Sequence, residues 1–161
     1  NLSDDVPVRI ISGNVLTGMK IEADGYIGFF ERQVTAIREG IEPELFGWLI
    51  PKPNKFSISR ALPSWFMRQV GEVKYDLDTN NHGELRAFVV SGEYEKVFPF
   101  DIFPVHLLKA ILNEDIDAME KLGLYEVVEE DFALCEVVCT SKINVQNIVR
   151  DGLNLLRSEI G

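Results

Sequence analysis

Residues 104–112 read Pro-Val-His-Leu-Leu-Lys-Ala-Ile-Leu, and here the pattern of the chain changes from strand-like to helical. Pro104 suits the first position of a helix, because the N–H that proline lacks needs no intrahelical partner there. The apolar residues that follow recur at helical spacing: Val105, Leu107, Leu108 and Leu112. This stretch therefore predicts the first helix of a helical C-terminal region.

Three more helices are predicted after residue 112. Glu114 and Asp115 favour a helix start, since acidic side chains suit the positive helix end, and Gly123 favours its end. An acidic run at residues 129–131 predicts a third helix that extends to about Cys139. Asn144 is a suitable cap for a fourth, whose apolar stripe is Val145, Ile148, Val149 and Leu156.

Upstream of residue 99 the pattern favours short strands. Alternating or continuous apolar runs predict strands at residues 6–11, 26–30, 34–37 and 46–50. Residues 72–78 and 84–90 flank an Asn- and Gly-rich turn and predict a β-hairpin. The predicted fold class is therefore α+β, with a β-rich front followed by helices.

Composition and charge exclude several classes of protein. The chain has 161 residues, of which 46% are hydrophobic, and its net charge is −10. This charge argues against binding nucleic acid through its phosphates. The first 70 residues carry eight basic and eight acidic side chains, so the whole net charge lies in the remainder. No apolar run approaches a membrane span, and the start at Asn1 without Met suggests a part of a longer protein.

Familiar catalytic and cofactor motifs fit poorly. Residues 13–20 resemble a phosphate-binding loop, but Met19 stands where the lysine is needed, so a simple turn is favoured. Residues 76–80 imitate the start of a calcium loop, yet Ala87 occupies the position of its bidentate glutamate. His82 and His106 have no neighbouring ligand at metal-binding spacing. We therefore assign no catalytic, cofactor-binding or metal-binding residue.

The two cysteines, Cys135 and Cys139, lie four residues apart on the third predicted helix. This spacing would suit half of a metal or iron–sulfur site, but a cluster needs four ligands and the chain has no third cysteine. Phe132 extends the same stripe, and free cysteine packs well as a small apolar side chain. Structural burial is favoured, and an electron carrier that uses both thiols remains the alternative.

Several stretches resemble the C-terminal region of the A subunits of the sodium-translocating NADH:quinone oxidoreductases. The most specific is residues 122–139, with its Glu-Glu-Asp-Phe-Ala-Leu-Cys and second Cys. Residues 98–104, with Leu107-Leu108-Lys109 after them, and residues 8–18 and 46–49 are similar to the same family in the same order. Thr140 departs from the proline that is usual after the second cysteine.

The resemblance implies a role without chemistry of its own. It suggests a peripheral subunit on the cytoplasmic face of the bacterial inner membrane, within a complex of six subunits. That complex is an NADH:quinone reductase that exports sodium, passing electrons to a quinone such as ubiquinone. NAD, FAD, FMN, riboflavin and iron centres are then expected in other subunits and none in this chain. The membrane-embedded B subunit is the expected direct partner, beside the quinone site.

The resemblance also implies a domain plan. Residues 1–55 would form a β-grasp-like module of the soluble-ligand-binding (SLBB) type, and residues 56–98 a β-rich connection with the hairpin. Residues 99–161 would form a four-helix region similar to the ferredoxin domain found in the C subunit of the Rnf complex. Of that domain's cluster ligands only Cys135 and Cys139 would remain. The N-terminal domains of the family would be missing from this chain.

One aromatic stretch is a candidate for contact with a quinone or another subunit. Trp65, Phe66 and Met67 stand beside Arg68 in the charge-neutral front half of the chain. Burial in a core is the favoured interpretation, because aromatic and Met side chains are usually inside. A free-standing module that binds a small ligand through the β-grasp face remains the alternative to the subunit function.

Overall fold

The computed structural model describes residues 7–40, 56, 74–75, 77–81 and 83–160. The chain divides into two compact units, Asn1–Gly83 and Glu84–Gly161. We call them the sheet unit and the helical unit and describe each by itself. The predicted strand at residues 46–50 lies outside the described residues, as do Trp65, Phe66, Met67 and Arg68.

The sheet unit contains a three-stranded antiparallel sheet. Its strands are β1 (Val8–Ser12), β2 (Met19–Ile21) and β3 (Val34–Arg38), in the order β2-β1-β3. The strands predicted at residues 6–11 and 34–37 are confirmed as β1 and β3. Between β1 and β2, the Asn14 side chain accepts the N–H groups of Leu16 and Thr17. Residues 13–18 therefore form a side-chain-stabilised turn that leads into β2.

A polar cluster joins the end of β3 to the segment near residue 79. The Arg9 guanidinium, on β1, forms an ion pair with Glu39, and the Thr79 hydroxyl donates to the same carboxylate over 3.3 Å. The Gly40 N–H donates in turn to the Thr79 hydroxyl over 2.9 Å. The Arg9 guanidinium also lowers the pKa of the Glu39 carboxyl, which keeps it charged.

The predicted β-hairpin is wrong in the residues that the structure describes. Asp78 forms a single parallel bridge with Arg38, and residues 84–90 form no strand at all. The Asn80 N–H donates to the Asp78 carboxylate, a local turn that competes with strand pairing. Within the helical unit, the Arg86 N–H donates to the Ser141 carbonyl over 2.9 Å. The two predicted strands of the hairpin thus belong to different units. The second, residues 84–90, forms its hydrogen bond with Ser141 of its own unit.

The strand predicted at residues 26–30 is also wrong. These residues form an irregular segment that ends in a turn at Phe29 and Phe30. A half-buried strand needs alternation, whereas this run is apolar at every position except Gly28. A three-stranded sheet does not cover a strand on both faces, so the apolar run remains in a loop.

The helical unit contains the four predicted helices. They are α1 (Pro104–Leu112), α2 (Ile116–Lys121), α3 (Ala133–Val138) and α4 (Val145–Ile160). Short 3-10 turns at Tyr94–Lys96, Leu124–Glu126 and Glu129–Phe132 connect or precede them. The predicted cap at Asn144 is confirmed, since its amide oxygen accepts the Asn147 N–H. Asp115, predicted at the start of the second helix, caps α2 by accepting the Ala118 N–H.

The core of the helical unit forms where α1 and α4 pack together. Leu107, Leu108 and Val149 are completely buried there. Gly152 of α4 faces Ile111 of α1, and a Cβ at Gly152 would lie 2.9 Å from two carbons of the Ile111 side chain. Because real Cβ contacts are longer than this, only glycine allows the two helices to approach so closely at that point.

The predicted α+β class is confirmed by this combination of a small antiparallel sheet and a set of helices. Among the described helices, none has both the length and the apolar composition that crossing a bilayer requires.

Candidate functional site

The described part of the chain contains no candidate metal site. Within those residues, no three His, Cys, Asp or Glu side chains lie together as a metal site would require. The features that remain are the cysteine pair of the helical unit and an exposed apolar surface on the sheet unit. The contact predicted for Trp65, Phe66 and Arg68 stays a prediction, since these residues lie outside the described ones.

The cysteine pair lies in the core of the helical unit. Cys135 is on α3 and is fully buried, and Cys139 follows the end of α3 with 2% of its surface exposed. Both are free thiols. The hydroxyl of Tyr94, which is also buried, donates a hydrogen bond to the Cys139 sulfur over 2.9 Å. Burial of both side chains agrees with the apolar stripe that the sequence shows.

The electrostatic environment keeps the Cys135 thiol neutral. Burial raises the pKa of Cys135 to about 12, and the negative charges of Glu95 and Glu136 act in the same direction. Burial also raises the pKa of Tyr94, with a further contribution from its hydrogen bond to Cys139. Metal ligation requires a thiolate, so the surroundings of Cys135 favour packing over coordination.

Aromatic rings fill the core that contains the two thiols. The Phe98 and Phe132 rings lie 4.6 Å apart, and the Phe88 and Tyr94 rings stack at 5.9 Å. Lys109 places its Nζ atom 6.0 Å from the centre of the Phe88 ring. This interior is packed by side chains, as in an ordinary hydrophobic core.

Among the described residues of the sheet unit, the most exposed apolar side chains lie in the loop at residues 26–30. Tyr26, Phe29 and Phe30 are 92%, 95% and 91% exposed, and Ile27 is half exposed. The Phe29 and Phe30 rings are in edge-to-face contact, with centroids 5.0 Å apart. Single exposed apolar residues are common, but three nearly bare aromatic rings within five residues indicate an interaction surface.

Hydrogen bonds fix this loop to the sheet. The Gly28 N–H donates to the Ser12 hydroxyl over 2.8 Å, and the Glu31 N–H donates to the Gly28 carbonyl over 3.0 Å. Gly13 has a φ of +96°, and the Glu31 carboxylate packs so closely against it that a Cβ would lie 2.6 Å from one of its oxygens. The positive φ favours glycine at position 13, and the bond from Gly28 to Ser12 places the loop against the sheet.

The strand register extends the exposed surface beyond the loop. Ser12 is paired with Met19 on β2 and with Val34 on β3, so the three side chains lie in one row on one face. Gly28 covers Ser12 at the middle of the row, while Met19 and Val34 are 76% and 54% exposed. We call the combined surface the apolar patch. Its members are Met19, Tyr26, Ile27, Phe29, Phe30 and Val34.

The sequence contained a signal for the apolar patch that the strand prediction did not use. A run that is apolar on both faces suits only a strand that is covered on both sides. Polar and turn-forming residues at 22–25 precede the run, and Gly28 interrupts it. Those features favour a loop, and an apolar loop has to be covered by something outside the small sheet.

Comparison with known proteins gives a consistent result. No family model matches the chain. The A subunit of the Na(+)-translocating NADH-quinone reductase of Yersinia pestis is 43% identical over 152 residues, or 94% of this chain. The corresponding protein of Yersinia pseudotuberculosis is 44% identical, and that of Serratia proteamaculans 40%, over the same share of the chain. The chain spans about a third of the length of these curated relatives.

Proposed function

This chain is homologous to the A subunits of the Na(+)-translocating NADH-quinone reductases over 94% of its length, and on that premise we propose that it acts within such a complex. The observation that carries the proposal is 43–44% identity that continues through both units. In this function the chain is part of a sodium-pumping NADH:quinone oxidoreductase. The other subunits of the complex are its partners.

We further propose that the chain supports assembly and the quinone site and performs no electron transfer. The state of the cysteines supports this role, because Cys135 is buried with a raised pKa and Cys139 accepts a hydrogen bond from Tyr94. NAD, FAD, FMN, riboflavin and iron centres would then belong to other subunits. Quinone would be a neighbour of this chain, and the membrane-embedded B subunit its direct contact on the cytoplasmic face.

The finer fold assignments are part of the same proposal. The antiparallel sheet with its covering loop would correspond to a β-grasp module of the SLBB type. The helical unit would correspond to a ferredoxin domain without clusters, in which aromatic packing such as that of Phe98 on Phe132 fills the interior. The two cysteines would be what remains of the cluster ligands.

The test uses a full-length protein, because the chain spans only a third of its relatives. We would insert this chain in place of the matching third of the Yersinia pestis homologue, add a tag, and call the product the chimeric subunit. It would be expressed in a strain that lacks its own homologue. After gentle solubilisation, the tagged eluate would be assayed for flavin absorbance and for sodium-stimulated, NADH-dependent quinone reduction.

We expect flavin and sodium-stimulated activity to copurify both with the chimeric subunit and with the tagged Yersinia pestis protein, which is the positive control. A chimeric subunit recovered alone and colourless, beside a working positive control, would refute the assembly function. The free-standing ligand-binding module would then be the next hypothesis. Iron and visible absorbance in the isolated chain, lost on Cys135→Ala substitution, would instead support the electron carrier.

A further inference from the structure

We propose that the apolar patch is the docking surface for the part of the homologous full-length protein that lies outside the third matched by this chain. The inference rests on the proposed function and makes it more specific. It assigns the patch to a contact within one polypeptide. Contact with a lipid surface or with another subunit would be a different arrangement.

The size of the apolar patch favours a protein surface as its partner. Buried aromatic side chains remove about 150–250 Å² each from solvent, and three rings here are more than 90% exposed. With Met19, Ile27 and Val34 added, the available area is comparable to the roughly 800 Å² per partner of a stable protein interface. A small ligand would cover only part of such a surface.

The charges around the apolar patch argue against anionic partners. Lys20 and Arg32 are the basic residues of the stretch between Met19 and Val34, and three acidic residues accompany them: Glu22, Asp24 and Glu31. Anionic lipid headgroups and nucleic acids attract clusters of basic side chains, and this balance offers none. The partner expected from this chemistry is an uncharged, apolar protein face.

The lengths of the relatives indicate a protein surface that could cover the apolar patch. The chain covers 33% of the Yersinia proteins, so about two thirds of each lies outside the match. A surface in the same polypeptide is present at a high effective concentration, which favours its contact over that of a separate molecule. The unmatched part of the polypeptide is therefore the partner that we assign to the apolar patch, in preference to a separate molecule.

The experiment places a photoreactive residue at the centre of the apolar patch. Phe29 of the chimeric subunit is replaced by p-benzoyl-phenylalanine, a close analogue that leaves the exposed ring site intact. Leu85 of the helical unit, which is 77% exposed, receives the same residue as the matched control. After irradiation of the isolated chimeric subunit and of solubilised membranes, mass spectrometry identifies the cross-linked peptides.

We expect position 29 to cross-link to peptides of the Yersinia part of the chimeric subunit, in isolation and in membranes, at a yield well above that of position 85. Cross-links confined to the 161 inserted residues, to another subunit or to lipid would overturn the proposal. Assembly of the complex without the expected cross-link would refute the docking surface alone. The expected cross-link in a chimeric subunit that does not assemble would refute the proposed function alone.

A second measurement separates docking from a general effect of exposed apolar residues. The double substitution Phe29→Ser with Phe30→Ser should lower the Tm of the chimeric subunit and leave that of the isolated chain unchanged. The control pair, Leu85→Ser with Val89→Ser, changes two exposed residues of the helical unit. Equal Tm shifts for both pairs in the chimeric subunit, or a loss only in the isolated chain, would contradict the proposal.

Discussion

Replacing Cys135 by Ala and following the stability of the helical unit with pH tests whether the buried thiol is neutral in the folded chain. The folded thiol has a pKa of about 12, against an ordinary value of 9.0. At a pH above 9.0, the thiol of the unfolded chain loses its proton, while the thiol of the folded chain remains protonated. The unfolded state then binds fewer protons, so the free energy of unfolding falls as pH rises.

The magnitude follows from the difference between the two pKa values. Each pH unit above 9.0 and below about 12 removes about 1.4 kcal/mol from the free energy of unfolding. At about pH 10 the loss from Cys135 is therefore about 1.4 kcal/mol relative to neutral pH. Cys135→Ala removes this slope and adds a constant destabilisation from the lost side chain. Val149→Ala, at another fully buried position, is the control that adds a constant without changing the slope.

The assay uses the distribution of secondary structure between the two units. All described helices lie in the helical unit, and urea unfolding followed by far-UV circular dichroism reports on the loss of these helices. Within the described residues, the sheet unit contributes the three short strands β1, β2 and β3 to this signal. An alkaline slope that is the same in Cys135→Ala as in the original chain would show that the thiol is not protected by burial.

Three further changes test the packing of the helical unit, each by the same urea titration. Gly152→Ala should destabilise the helical unit by about 1–2 kcal/mol, because overpacking against Ile111 exceeds the gain of about 1 kcal/mol in helix propensity. Combining Gly152→Ala with Ile111→Ala should remove this penalty, and additive effects of the two substitutions would refute the contact. Tyr94→Phe should cost about 1 kcal/mol or less, since only the weak hydrogen bond to Cys139 is lost; a larger loss would mean a wider network. Asn144→Ala should cost about 1 kcal/mol by uncapping α4, with Asn144→Asp, which can still cap, retaining most of the stability.

The helices were predictable because their signals are local. A proline at the first position begins α1, an acidic cap begins α2 and an apolar stripe marks α4, while the acidic run at residues 129–131 lies in the 3-10 turn that precedes α3. Strands depend on partners that are distant in the sequence, which local patterns do not show. The strands predicted at residues 6–11 and 34–37 were confirmed, whereas the one predicted at 26–30 was wrong. The strand β2 went unpredicted because only three residues pair, and two of their side chains are exposed.

The hairpin prediction was wrong for a related reason. Residues 84–90 have the composition of a strand, yet their hydrogen bonds go to Ser141, more than 50 residues further along the chain. A local sequence pattern does not predict a hydrogen bond between residues that lie more than 50 positions apart. The burial of the cysteines was predictable from the stripe that they share with Phe132, whereas the hydrogen bond from Tyr94 to Cys139 was not, because it joins residues 45 apart.

The hydrogen bond that fixes Gly28 to the sheet affects the thermodynamics of any contact made by its loop. A flexible loop loses backbone entropy when it binds, at a cost of roughly 1–2 kcal/mol for each residue that becomes ordered. Here the backbone at Gly28 is already bonded to Ser12 before a partner arrives, so the loss at this residue occurs during folding. Binding through the aromatic side chains of this loop therefore carries a smaller entropic loss than binding through a loop with no such bond.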